Sequence, residues 1–213
     1  MPNHVETTIT IIGPAEALDQ IAALAEAEQS ILEHFLPLPE GATEVRTGVA
    51  ADGTPWEYSV FTDNGYAMAC KLWGSKWADY DVRLEDDGRT EPTPSITVCC
   101  SSAWSPNVEG YRKLSTMLGI AAVLSYKDEG WGFVGASAVV NGEIVSEERF
   151  GTEALDGFAN GKGVPSSPPE AKDGEDADEV RDEWWTEYDD ACYEARLFCG
   201  EKVRDVLEGL LTA

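Results

Sequence analysis

The sequence is short of basic residues. Its 213 residues include 40 acidic and 15 basic side chains and two histidines, which gives a formal net charge of −25 at neutral pH. Proteins that bind nucleic acid or an anionic membrane directly need a cationic face, so we expect neither kind of binding. The acidity is explained by solubility alone or by a basic protein partner, and the composition leaves both explanations open.

Long apolar runs and paired cysteines are also missing. No stretch of 18 apolar residues could cross a membrane, and no basic segment followed by an apolar one indicates a secretory signal. The five cysteines are odd in number and lack C-x-x-C spacing, so no disulfide framework or zinc site is implied. We expect a cytoplasmic protein without a cofactor.

Catalytic constellations are equally scarce. A serine or cysteine nucleophile needs a base within hydrogen-bond reach, and only His4 and His34 are available. Neither phosphate-binding glycine pattern, G-x-x-x-x-G-K-[ST] or G-x-G-x-x-G, occurs between a predicted strand and a predicted helix. Clustered acids such as Asp86 and Asp87 are typical of solvated turns. We expect no enzyme, no catalytic residue and no metal ligand.

Hydrophobic periodicity predicts a mixed α+β fold. Alternation predicts strands over 5–12, 79–85, 94–104, 120–126, 133–140 and 143–150, with Asn141-Gly142 as the turn of a hairpin. Helical spacing follows Pro14 and Asn107, whereas 40–56 is predicted as a loop and 57–72 as a helix or irregular segment. The order predicts a ferredoxin-like split βαβ antiparallel sheet with an added β-hairpin and a C-terminal amphipathic helix.

Three segments follow from this pattern. Residues 1–150 are predicted to form the ferredoxin-like α+β domain, because they contain the alternating strands and both helices. Residues 151–176, rich in Pro, Gly and acids, are predicted to be a flexible linker. Residues 177–213 are predicted to form an acidic amphipathic helix.

Two tryptophan motifs, L-W-G-S-K-W at 72–77 and A-W-S-P at 103–106, have two interpretations. Their indoles could line a pocket with a lysine beside them, which suits stacking and cation–π contacts. The interpretation that we favour is a structural framework, in which a glycine permits close approach and a serine before proline caps a helix. The residues concerned are Trp73, Gly74, Lys76, Trp77, Trp104, Ser105 and Pro106.

With these motifs the chain resembles uncharacterised phage- and plasmid-encoded proteins that have a YubB-like, ferredoxin-like domain. The opening M-P-N-x-V, then F-L-P-x-P at 35–39 and E-G-x-x-F-x-G at 129–135 also agree with that family. His4, Leu72, Ser75, Ser102 and Asn107 depart from its pattern. The resemblance covers roughly residues 1 to 150. It implies a fold and a mobile-element origin, and it carries over no chemistry.

The terminal segment is the most acidic part of the chain. Residues 168–213 contain fifteen acids and five bases, and an apolar stripe runs along the predicted helix. The stripe could pack on the chain's own sheet, on a partner or on a second copy in a homodimer. As partner-binding residues we predict Asp178, Glu179, Asp182, Glu183, Trp184, Glu187, Tyr188, Asp189, Asp190 and Glu194.

These observations favour a phage-type accessory protein that acts by binding. Its acidic surface would engage a basic host protein in the host cytoplasm, and could inhibit it as a nucleic-acid mimic, as in host takeover or anti-defence. One alternative is a small-ligand pocket or weak enzyme lined by the tryptophan motifs. Another is a self-associating module that uses the terminal helix.

Overall fold

The computed structural model describes residues 3–172 and 175–212. Within these residues the strands are β1 (His4–Ile12), β2 (Thr43–Val49), β3 (Pro55–Phe61), β4 (Tyr80–Gly88), β5 (Ser95–Ala103), β6 (Ala121–Asp128), β7 (Phe133–Val140) and β8 (Glu143–Gly151). The helices are α1 (Ala15–Glu26), α2 (Ile31–Phe35), α3 (Gly65–Trp73), α4 (Val108–Leu118), α5 (Thr152–Gly161) and α6 (Ala177–Leu211). The family-motif residues Met1 and Pro2, the linker residues Asp173 and Gly174, and Ala213 lie outside the described residues.

Six strands form one sheet in the order β4-β5-β1-β6-β7-β8, with every neighbouring pair antiparallel. Strand β5 lies between β1 and β4 in the sheet. In sequence, β1 is connected to β4 by α1 and the elements that follow it, α2 to α3. This is the predicted split βαβ arrangement, and β7 and β8 are the added hairpin. Its turn has positive φ at both Asn141 (49°) and Gly142 (84°), as the predicted tight turn requires.

The two faces of the sheet are covered by different helices. Strand β1 alternates as predicted, so that Val5, Thr7, Ile9 and Ile11 are buried beneath α1 to α4. The opposite face of β6, β7 and β8 is covered by α6, whose apolar stripe forms a second core with α5. The amphipathic terminal helix therefore packs on its own sheet, one of the placements that its sequence allowed.

The predicted linker differs from the structure in its first half. Residues 152–161 form α5, in which Leu155 and Ala159 are fully buried against α6. Glycine, asparagine and acidic residues surround these positions, so their composition resembles that of a loop. Burial of two apolar side chains four residues apart nevertheless stabilises a helix there. The prediction of a linker throughout 151–176 is therefore wrong for α5.

The predicted loop at 40–56 also differs from the structure. Strands β2 and β3 pair as a two-stranded hairpin, and α3 begins only at Gly65. Most of the hairpin's side chains are exposed on both faces. Because neither face is buried, the sequence has no period-two alternation by which to recognise the strands. No helix among the described residues is long and apolar enough to span a membrane.

Candidate functional site

The two tryptophan motifs lie against each other, although about thirty residues separate them in sequence. The Ser75 hydroxyl donates to the carbonyl oxygen of Ala103 at 2.6 Å, and the Ser105 hydroxyl donates to that of Gly74 at 2.6 Å. The Asn107 amide donates to the carbonyl oxygen of Trp77 at 3.0 Å. The motifs therefore join the end of α3 to the turn before α4.

Gly74 permits this close approach. Its φ is +81°, and a Cβ there would lie 3.2 Å from the backbone nitrogen of Glu109. Both facts favour glycine over any other residue. Ser105, in contrast, does not cap α4 as predicted. The residue at the cap position is Asn107, and α4 begins after it. The Ser105 hydroxyl does not reach the helix, because it is hydrogen-bonded to Gly74.

The first motif lines a cleft of about 690 Å³, which we call the aromatic–acidic cleft. It opens between β4, the segment around α2, and the base of the β2–β3 hairpin. Its aromatic and charged lining residues are Phe61, Trp73, Trp77, Tyr80, Glu28, Glu33, Lys76, Asp79 and Asp81. The predicted grouping is wrong for Trp104, which does not line this cleft; its side chain is exposed and its backbone has φ +73°.

One wall of the cleft is aromatic. The rings of Trp77 and Tyr80 meet edge to face with centroids 5.9 Å apart, and the Lys76 ammonium lies 5.0 Å from the Trp77 ring centre. Trp73 is buried, and its indole N–H donates to the carbonyl oxygen of Leu36 at 2.9 Å. The Tyr80 hydroxyl is hydrogen-bonded to the His4 ring. These contacts fix the orientation of the wall.

The acidic rim depends on an irregular backbone. The register of β4 against β5 shifts between Tyr80 and Arg83, and Asp81, which lies in this bulge, has φ +51°. Glu28, just after α1, has φ +54°. Positive φ is uncommon outside glycine, and bulges redirect side chains next to functional sites. Both carboxylates line the cleft as a result.

The floor of the cleft contains a buried acid, Asp79. Its carboxylate accepts hydrogen bonds from the Ser30 hydroxyl (2.6 Å), the Leu32 backbone N–H (2.9 Å) and the Tyr111 hydroxyl (2.9 Å). Burial raises the pKa of Asp79 above its ordinary value, and the three donors oppose that rise. Asp79 therefore positions α2 and α4, while Glu28, Glu33 and Asp81 supply the charge at the rim. Sequence alone gave no signal for Asp79.

The structure corrects two of the predicted partner-binding residues on α6. Trp184 and Tyr188 are buried against the chain's own second core; Trp184 donates to the carbonyl oxygen of Pro165 and Tyr188 donates to Asp156. They entered the prediction because a stripe that packs internally has the same spacing as one that binds a partner. Neither is therefore available to an external partner or a second copy.

The predicted acids of α6 are exposed, and three of them have partners within the chain. Asp189 accepts from the Trp131 indole at 2.7 Å, Glu194 forms an ion pair with Lys162, and Asp178 forms one with Arg181 at 2.9 Å. The remaining acids face solvent without taking part in the second core. They are Glu179, Asp182, Glu183, Glu187 and Asp190.

Burial affects four of the five thiols. Burial raises the pKa of Cys192 and of Cys199 to about 11, and it also raises the pKa of Cys99 and Cys100. A raised pKa keeps a thiol protonated and unreactive near neutral pH. Among the described residues, no group of three His, Cys, Asp or Glu side chains could hold a metal ion.

One comparison with known proteins, a family model, supports the fold. Residues 73–164 match the family described as a ferredoxin-like domain in Api92-like protein. A crystal structure of a protein api92 from Yersinia pseudotuberculosis aligns with 71% of this chain and 99% of its own, at 12% identity and a TM-score of 0.46. No curated protein matches the sequence. The family match confirms the ferredoxin-like domain, and it extends past the predicted boundary at 150 to include α5.

Proposed function

We propose that this protein acts by binding a basic partner protein, with the aromatic–acidic cleft receiving a lysine or arginine side chain of that partner. The observation that carries the proposal is the pairing of an aromatic wall, Trp77 and Tyr80, with the rim carboxylates Glu28, Glu33 and Asp81. Aromatic faces and carboxylates together are the groups that recognise an organic cation. The cleft also has the size of an ordinary ligand site.

The β2–β3 hairpin supports a protein partner. Its base, including Val60 and Phe61, lines the cleft, and its exposed side carries the ring pair Trp56 and Tyr58, with centroids 4.5 Å apart. Val49 is 70% exposed. A two-stranded hairpin is only marginally stable by itself in water. Apolar side chains that cluster on a protein surface are typical of interaction sites. A partner that enters the cleft would also cover this hairpin.

The charge of the chain supports a basic partner. The net charge of −25 and the exposed acids at the start of α6 would accelerate association with a cationic protein and make it depend on salt. The resemblance to phage- and plasmid-encoded proteins favours a host protein in the host cytoplasm. A partner that normally binds nucleic acid would meet an acidic surface in place of its ligand.

The proposal is tested with cleft variants and a defined cationic probe. A short polylysine peptide is titrated against the protein by calorimetry at low and at high salt. We expect Trp77→Ala to weaken binding roughly 3- to 30-fold, the range of a desolvated cation–π contact. Trp104→Ala is the matched control, because Trp104 belongs to the second motif yet lies outside the cleft.

Two further measurements separate the cleft from general acidity. Glu33→Gln and Asp81→Asn should each weaken binding of the peptide, whereas Asp86→Asn on the same strand should not. The same variants are then used to capture basic proteins from a host lysate. Salt-insensitive capture, or equal losses for Trp77→Ala and Trp104→Ala, would contradict the proposal.

A small cationic molecule is the second candidate ligand of the same cleft. The volume of about 690 Å³ favours it, since small-molecule sites commonly have this size. A free organic amine that binds in a Trp77-dependent way, without dependence on the hairpin residue Trp56, would favour this candidate over a protein partner.

A further inference from the structure

Helix α6 covers only half of the sheet face on which it packs. It covers β6, β7 and β8, while the same face of β1, β5 and β4 has no helix over it among the described residues. A cavity of about 240 Å³ lies at this boundary, between α6 and strands β1 and β6. Its polar lining includes Thr8, Thr10, Ser125, Tyr193, Arg196 and Arg204.

Arg196 is the unusual member of this cavity. Its residue is only 9% exposed, and one guanidinium nitrogen, Nη2, donates to the Thr8 hydroxyl and to the carbonyl oxygen of Ser125, both at 3.0 Å. No described carboxylate lies within 4 Å of it, and its Nε and Nη1 donate to no described residue. Burial lowers the pKa of Arg196, which nevertheless remains protonated. Buried charges are normally paired, yet no described carboxylate lies at ion-pair distance from this one, and Glu6 acts on it only from beyond 4 Å.

A second guanidinium lines the cavity two helical turns later. Arg204 also has no carboxylate within 4 Å among the described residues, although the chain holds 40 acids. Gly200 lies between the two arginines, where a Cβ would be in van der Waals contact with the Ser125 hydroxyl at 3.6 Å. Glu201 is the single acid that lines the cavity. The lining of this cavity therefore holds two arginines and one acid.

We propose that this cavity binds a compact oxyanion, a phosphate or carboxylate group of a ligand, between Arg196 and Arg204. Guanidinium forks and hydroxyl donors are the groups that hold such anions, and Thr10, Ser125 and Tyr193 supply the hydroxyls. The volume exceeds that of one water, about 30 Å³, several times. The acidity of the whole chain does not prevent binding, because charges farther than about 8 Å are screened at physiological ionic strength.

The decisive experiment titrates the full chain with inorganic phosphate and, separately, with malonate, followed by calorimetry and by amide shifts in NMR spectra. We expect saturable binding of at least one anion, with shifts at Thr8, Ser125 and Gly200. Arg204→Gln should weaken it roughly tenfold, the size expected for one charge-assisted hydrogen bond. Arg181→Gln is the control, since Arg181 lies on the same helix and pairs with Asp178 outside the cavity.

The two anions distinguish the sources of the ligand. Binding of phosphate alone indicates a phosphorylated ligand, and binding of malonate alone indicates a carboxylate. Arg196→Lys keeps the buried charge and removes the fork, so it should weaken binding without unfolding the chain. If Arg196→Lys does not fold, the binding measurements on Arg204→Gln test the proposal, because Arg204 is exposed and its substitution should not unfold the chain. No saturable binding of either anion, or equal effects of Arg204→Gln and Arg181→Gln, would overturn the proposal.

Discussion

The Tyr111 hydroxyl donates to the Asp79 carboxylate at 2.9 Å, and both side chains are buried. This bond joins α4 to the residue just before β4. The same carboxylate also holds the start of α2 through Ser30 and Leu32. One acid therefore fixes three elements around the aromatic–acidic cleft, which explains why a charged residue is kept in the core.

Replacing this acid should destabilise the fold. Asp79→Ala leaves three donors without their acceptor, and each buried unsatisfied group costs about 1–3 kcal/mol. We expect the free energy of unfolding to fall by about 3 kcal/mol in urea titrations. Asp86→Ala, at an exposed position of β4, serves as control and should change it by less than about 0.5 kcal/mol. A loss below about 1 kcal/mol for Asp79→Ala would show that its hydrogen bonds are dispensable.

Asp79 should also make stability depend on pH. Because its pKa is raised in the folded state, the unfolded chain ionises first as pH rises above about 4. The free energy of unfolding of the wild-type protein therefore falls relative to that of Asp79→Asn as pH rises from about 4 to the raised pKa of Asp79. Above that pKa the difference between the two proteins is constant. Urea titrations of both proteins at several pH values measure this slope. A difference that grows in the opposite direction would contradict the raised pKa.

Glu109 should show the reverse dependence. Hydrogen bonds from Arg112, and then from Lys113, hold its pKa at about 2. A lowered pKa adds stability that is present above the unfolded value of about 4.3 and is lost as pH falls towards 2. Since the side chain is about one-third exposed, we expect less than about 1 kcal/mol. Glu109→Gln should remove this acid sensitivity, which the difference in unfolding free energy across that pH range would reveal.

Two adjacent tryptophans of α6 should differ in their importance. Trp184 is 7% exposed and packs on the second core, whereas Trp185 is 50% exposed. Trp184→Ala should lower the free energy of unfolding by about 3 kcal/mol, and Trp185→Ala by less than about 1 kcal/mol. Thermal and urea unfolding of the two variants compare them directly. Equal losses would mean that α6 does not pack as described.

Two glycines should respond in opposite directions to alanine. A Cβ at Gly65 would overlap the carbonyl oxygen of Ala42, at the base of the β2–β3 hairpin. At Gly157, inside α5, it would meet no atom within 4 Å. We expect Gly65→Ala to destabilise the chain, and Gly157→Ala to stabilise it by about 0.5–1 kcal/mol through helix propensity. Melting temperatures decide the signs, and a stabilised Gly65→Ala would contradict the close approach.

The elements that sequence could predict are those with one buried face. Strand β1 and helix α6 each alternate between core and solvent, and this leaves a readable period. The β2–β3 hairpin buries neither face, so its sequence shows no hydrophobic period. Helix α5 is short and rich in glycine, and only the spacing of Leu155 and Ala159 could have indicated it.

The candidate sites were harder to predict than the fold. Trp77 and Trp104 both lie in short tryptophan motifs, so the sequence does not distinguish them. In the structure Trp77 lines the cleft, whereas Trp104 follows β5 and is exposed. The bulge at Asp81 has no glycine to indicate it. Arg196 did leave a signal, because it follows Cys192 by four residues and precedes Cys199 by three, which places it on the buried face of α6.

The central position of β1 has a consequence for synthesis. Its partners are residues 95–103 of β5 and 121–128 of β6, so β1 must wait for strands far along the chain. The edge that pairs with β5 is open until Ala103 has left the ribosome and the edge that pairs with β6 until Asp128 has, and α6 covers the last strands only after Leu211 has been made. Such unpaired edges favour aggregation. We therefore expect nascent chains halted before Asp128 to need more chaperone protection than chains that extend past α6.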